Sequence, residues 1–112
     1  MIRIDDTESG IRILQVTVSS LDAANHESFR AGLKEVLKPG AQHVLDLSLV
    51  DFMDSAGLGV LLSILRQVTS EEGDLALSGL SPQVRYLLEI VRMHKIVDIY
   101  NDLGEALSSW TH

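Results

Sequence analysis

The sequence predicts an α/β fold: a mixed, largely parallel sheet of about four to five strands, with about four helices packed mainly on one face. Three observations carry that reading. Segments of strand-type alternation take turns with segments of helical period along the whole chain. Strand segments are separated by helix-length stretches, and such crossovers return the chain in parallel pairing. No repeat, linker or low-complexity tract interrupts the 112 residues, so a single domain over 1–112 is expected.

Residues 11–18, IRILQVTV, are rich in β-branched and apolar types and read as a strand. MIRI at 1–4 is expected beside it, joined through the turn DDTESG. From about Ala23 the period changes. Phe29, Leu33, Val36 and Leu37 share one helical face, and Pro39-Gly40 stops it. VLDLSLV at 44–50 alternates, with Leu45, Leu47 and Leu49 on one side and Asp46 and Ser48 on the other, as a strand with one well-covered face would. A helix follows from about Ala56 to Ser70, then a short strand, LALS, at 75–78. Ser81 as N-cap with Pro82 in the first turn opens a helix with Val84, Leu87, Leu88 and Val91 inward. IVDIY at 96–100 is the last strand. Asp102-x-x-Glu105 resembles a capping box, starting a short terminal helix that carries Leu103, Leu107 and Trp110.

Composition narrows the function classes. Hydrophobic residues make up 46% and aromatics 4%, so the core is aliphatic. The absence of cysteine excludes disulfide scaffolds, thiol nucleophiles and cysteine-ligated zinc or iron–sulfur sites, and it fits a reducing compartment. A net charge of −7 repels nucleic acid, and no Lys/Arg cluster offers a local exception. Anionic membrane surfaces are disfavoured for the same reason. MIRIDDTESG lacks the pattern of a secretion signal, and the longest apolar stretch, 56–62, is far shorter than a membrane span. A soluble, cytoplasmic domain without membrane insertion is expected.

The segment VDFMDSAGLGVLL, 50–62, places two acids, a serine and two glycines at the junction of two apolar runs. A serine-hydrolase elbow requires Gly-x-Ser-x-Gly, and Met53 stands where its first glycine belongs. None of His26, His43, His94 and His112 is spaced to complete a triad. A dinucleotide loop fails at Leu62, where its third glycine would fall, and no Walker Gly-Lys-Ser/Thr follows. Asp51 and Asp54 lack a metal-ligand pattern around them, so no metal or cofactor is expected.

Display of Ser55 is the other reading. Leu58, Val60, Leu61, Leu62, Ile64, Leu65 and Val68 fill a broad apolar arc at helical period, and Ser55, Gly59, Ser63, Arg66, Gln67 and Ser70 lie opposite. The competing interpretation is that Asp54 or Ser55 is simply an N-cap. A cap requires neither Gly57 nor Gly59, however. Glycine costs about 0.8–1 kcal/mol relative to alanine inside a helix, and close approach of another backbone is one reason for it.

Residues 44–68, VLDLSLVDFMDSAGLGVLLSILRQV, resemble the signature of the STAS domain family, in particular its bacterial anti-sigma factor antagonists. LDAAN at 21–25 is similar to the family's Leu-Asp loop, and LSGLSPQVRYLLEIVRMHKIVDIYND is similar to its final strand–helix–strand portion. The resemblance implies a non-enzymatic regulator in transcriptional signal transduction. It implies phosphorylation at Ser55, preceded by Asp54, by a partner serine protein kinase that is also the anti-sigma factor. The unmodified form would bind that kinase and release the sigma factor, and a serine phosphatase would reset the switch. Ala56 stands where many members carry a second hydroxyl residue.

The partner surface expected on this basis comprises Asp22, Asp51, Asp54, Ser55, Ala56, Gly57, Gly59, Ser63 and Arg66. Asp22 reads equally well as the N-cap of the first helix, Asp51 as an ordinary strand-end acid, and Arg66 as part of a solvated face. Backbone N–H groups at the helix start are expected to accommodate a phosphate on Ser55. The alternatives are a STAS subunit of a lipid-transport complex or stress-signalling particle and, from another class, a small hydrolase or nucleotide-binding enzyme.

Overall fold

The computed structural model describes residues 1–110, and His112 lies outside them. Five strands form the main sheet in the order β1-β2-β4-β6-β7. They are β1 (Ile2–Asp6), β2 (Ile11–Val16), β4 (Gln42–Asp46), β6 (Asp74–Ser78) and β7 (Asp98–Tyr100). Only β1 with β2 is antiparallel; the other three pairings are parallel. A separate two-stranded parallel pair joins β3 (Ser20–Leu21) to β5 (Phe52–Met53). The helices are α1 (His26–Val36), α2 (Ser55–Ser70), α3 (Pro82–Ile90) and α4 (Leu103–Ser108), with a 3-10 turn at Met93–Lys95. The expected fold class is the one observed.

Alternation along the strands sorts the core into two layers. Leu14, Val16, Leu45, Leu47, Leu75 and Leu77 point to one face and pack with Phe29 and Leu33 of α1, Leu61 and Ile64 of α2 and Val84 and Leu88 of α3. Ile11 and Val44 point the other way, beneath Ala106 of α4, with Tyr100, Leu103, Leu107 and Trp110 around them. Three helices therefore cover one face and α4 the other. Asp102 caps α4 by accepting the Glu105 N–H at 2.8 Å, while Glu105 reaches back to the Asn101 N–H, one residue before the cap.

Element boundaries depart from the periodicity in four places. The strand expected over 44–50 begins at Gln42 and stops at Asp46, whose Oδ1 accepts the Ser48 N–H at 2.9 Å and turns the chain. Leu49, expected inward, is 48% exposed in the loop that results. The last strand starts at Asp98 rather than Ile96, because the 3-10 turn consumes the preceding residues and leaves Ile96 exposed. Val91 terminates α3 as its C-cap and is exposed rather than inward. Asp5 and Asp6, expected in the first turn, extend β1 instead, and the turn is closed by Gly10 at φ +90°.

His43 is the one buried histidine among the described residues, 1% exposed, and its Nε2 accepts the Lys38 N–H at 3.0 Å. Burial, the largest influence, holds its pKa below the ordinary 6.5. The unfolded chain therefore takes up this proton first. The contribution to stability is complete above pH 6.5 and falls below it, by at most about 1.4 kcal/mol per pH unit. Chemical denaturation across this range is expected to show the decline in the native protein and a flatter profile in His43→Gln.

Candidate functional site

The β3–β5 pair brings two loops together at the start of α2. Phe52 and Asp54 donate their N–H groups toward β3, to Ser19 O at 3.2 Å and Leu21 O at 3.1 Å. Met53 lies between them and points its amide the other way, where Gln83 brackets it. The Met53 N–H donates to Gln83 Oε1 at 2.9 Å, and Gln83 Nε2 donates to Met53 O at 3.0 Å. A side-chain amide thus completes the hydrogen bonding that a further strand would supply. Ser81 both caps α3 at the Val84 N–H and donates its hydroxyl to Asp51 O.

Asp54 is the N-cap of α2. Its Oδ1 accepts from the Ala56 N–H at 2.9 Å and the Gly57 N–H at 3.1 Å, and its Oδ2 accepts from the Ala23 N–H at 3.0 Å. The helix start and the 21–25 loop are therefore held by one carboxylate. Asp22 organises that loop, its carboxylate accepting from the Ser20 hydroxyl at 2.7 Å and the Ala24 N–H at 2.9 Å. The Ser20 hydrogen bond is the largest of the influences that hold the Asp22 carboxyl below the usual range. Asp22 is not the N-cap of α1; Asn25 occupies that position and uses its side chain on the Asp22 N–H and the Ser20 carbonyl.

Ser55 is the first residue of α2, exposed, and its hydroxyl makes no hydrogen bond among the described residues, so no base is held against it. Asp54, Ser55 and Ala56 are consecutive at the helix start, which the Ala23–Asp54 bond ties to the loop of Asp22, with Gly59 and then Ser63 following along the same helix. Arg66 is exposed eleven residues on, about 16 Å along the axis from Ser55. Asp51 is exposed and ties into the site through its backbone, not its carboxylate.

Two expectations need correction. Gly57 was expected on the partner surface and is buried: a Cβ there would stand 2.5 Å from Leu21 O and 2.9 Å from Met53 Cγ. The close backbone approach that its glycine serves is internal. The second concerns a phosphate on Ser55. The Ala56 and Gly57 N–H groups expected to receive it are already occupied by Asp54, and the Leu58 N–H by the Asp54 carbonyl. Gly59 is the opposite of Gly57, with nothing within 4 Å of a Cβ placed on it.

Sequence reasoning missed Gln83 and the exposed apolar neighbours. Gln83 sits at the second helical position, one short of where a capping box would use it, so no local motif marks it. Phe52 is 46% exposed because its strand is two residues long and has one neighbour.

The STAS domain family model matches residues 5–106. The chain belongs to the STAS domain family. Over 101 residues it is 35% identical to a putative anti-sigma factor antagonist, BtrV, of Bordetella bronchiseptica, covering 89% of this chain and 84% of that protein. An anti-sigma F factor antagonist of Paenibacillus polymyxa is 31% identical over 101 residues, with 88% and 86% covered. Among solved structures, a putative anti-sigma factor antagonist from Thermotoga maritima superposes with a TM-score of 0.83 at 25% identity, covering 99% of this chain and 95% of that one. The STAS fold thus carries the aspartate–serine junction at the foot of α2.

The glycines are separable by stability. Gly57→Ala is expected to lower unfolding free energy by about 1–3 kcal/mol through the forced shift of β3. Gly59→Ala is expected to raise it, by up to about 0.8–1 kcal/mol. Urea unfolding of both variants measures this. Gln83→Leu is expected to cost about 1–3 kcal/mol by leaving the Met53 amide without its partners. Hydrogen exchange at Met53 should accelerate with it.

Proposed function

We propose that the chain is an anti-sigma factor antagonist switched by phosphorylation of Ser55. In its unmodified form it binds an anti-sigma factor that is itself a serine kinase, and so frees the sigma factor. The kinase transfers the γ-phosphoryl group of ATP to Ser55 Oγ, releasing ADP, and a serine phosphatase removes it. The observation that carries this reading is an exposed, unbonded Ser55 hydroxyl on a pre-built loop, in a chain aligned almost throughout with proteins named as antagonists.

The charge balance gives the sign of the switch. Phosphorylation adds about −1.5 to −2 charge. Asp54 precedes Ser55, its carboxylate also holds the Ala23 N–H next to Asp22, and the Ala56 and Gly57 N–H groups are already engaged. Those two donors are thus closed to the phosphate, which is left largely to water. A partner that covers Ser55 removes that water, and an unpaired charge buried at an interface costs several kcal/mol. In the unmodified form the same partner meets a neutral hydroxyl, bare backbone at Gly59 and the exposed side chain of Phe52. Gly59 supports this reading because nothing inside the domain requires it.

Incubation with the kinase and ATP, followed by phosphate mapping, is expected to place the modification on Ser55. Ser55→Ala is expected to bind the kinase even with ATP present, and Ser55→Asp to bind at least about tenfold more weakly, about 1.4 kcal/mol. Gly59→Ala is expected to weaken binding although it stabilises the fold. Equal affinities of Ser55→Ala and Ser55→Asp for the partner would refute the switch.

A further inference from the structure

The β1 edge has a property that its role in the sheet does not use. β1 ends the strand order, and four of its five residues are exposed. Its hydrogen bonding to β2 fixes which groups face outward. Thr17 donates to Met1 O and Thr7 donates to Ile11 O, so the odd-numbered residues of β1 bond toward β2. The N–H and C=O groups of Ile2, Ile4 and Asp6 consequently point away from the sheet. Ile4, at the centre, is 43% exposed.

We infer that β1 is a self-pairing edge, adding antiparallel to β1 of a second copy about a two-fold axis through Ile4. The register follows from the strand itself. Centring on Ile4 makes Ile4 opposite Ile4 of the second copy a hydrogen-bonded pair, with both outward-facing bonds exchanged. Ile2 then faces Asp6, again a hydrogen-bonded pair. Arg3 faces Asp5 on the other copy, twice by symmetry, in the non-hydrogen-bonded positions where opposing side chains approach most closely. Arg3 and Asp5 make no ion pair within the chain among the described residues, whereas Asp6 is already neutralised by Arg12 at 2.8 Å.

Charged residues on an edge strand ordinarily prevent such pairing. Prevention works through unpaired or like charge, and here the free charges are opposite in sign and placed to meet. The pairing joins two five-stranded sheets into one continuous sheet and buries the Ile4 side chains against each other. No residue of β1 enters the hydrogen bonds of the Ser55 site, so the inference stands independently of the proposed switch. A contact of two short strands falls in the small class of interfaces, under about 1,200 Å², and association is expected at roughly tens to hundreds of micromolar.

Sedimentation equilibrium of the full chain over a concentration series at low salt tests this. The native mass is expected to rise from 12.3 kDa toward twice that value. R3D and D5R, each setting like charges across the axis, are expected to weaken association about tenfold. Mixing R3D with D5R, or combining both changes in one chain, restores opposite charges and is expected to restore association. A native protein that stays monomeric throughout overturns the inference. So does a dimer that neither single inversion weakens, or a loss that neither mixing nor the double variant recovers. Circular dichroism of each variant confirms that the fold is retained.

Discussion

The carboxylate of Asp54 is the interaction on which the site depends. An α-helix begins with backbone N–H groups that have no partner inside the helix, and α2 begins at the end of a strand only two residues long. Asp54 satisfies two of those donors and, with its other oxygen, the Ala23 N–H of a loop thirty-one residues earlier in the chain. Replacing it with a hydroxyl residue would keep a cap and lose the bridge, because one oxygen cannot serve both directions with the same geometry. The 21–25 loop, the β3–β5 pair and the helix start are in register because one planar group faces all of them.

That arrangement also changes the electrostatic character of the helix start. A bare helix N-terminus attracts anions through its dipole and its open donors. Here two of the donors, the Ala56 and Gly57 N–H groups, are closed by a group that is itself anionic. In the adjoining 21–25 loop the Asp22 carboxyl is held below the usual range, chiefly by the Ser20 hydroxyl. The Ser55 hydroxyl is thus presented at a helix start already occupied by negative charge. A phosphate on Ser55 would add negative charge beside a carboxylate that is already there.

The sheet, the helices and their order were legible because each long element has a period: three apolar stripes at helical spacing and alternating runs between them. Elements shorter than their own period were not legible. β3 and β5 are two residues each, and no alternation can be recognised in so short a stretch. The same limit moved Leu49 from strand to loop, since an Asx turn at Asp46 ended the strand while the alternation of leucines ran on. Gly57 and Gly59 are indistinguishable by type and spacing, yet one meets Leu21 O and the other open space. Ser55 was legible at helix level; Gln83 was invisible, because its partner is a backbone amide thirty residues away.

The Gln83 bracket explains why so short a strand can hold the loop that leads into α2. Met53 has its N–H and C=O directed away from β3, and without partners they would compete for water and loosen the turn into α2. The amide of Gln83 occupies both groups, and Gln83 is itself held in the first turn of a helix that Ser81 caps and whose Val84 and Leu88 are buried in the core. The rigidity of the main sheet is in this way transmitted through α3 to the residue next to Asp54. A loop ordered before any partner arrives loses little conformational freedom on binding. Under the proposed switch, discrimination between the two forms of Ser55 would rest on charge and contact at this surface.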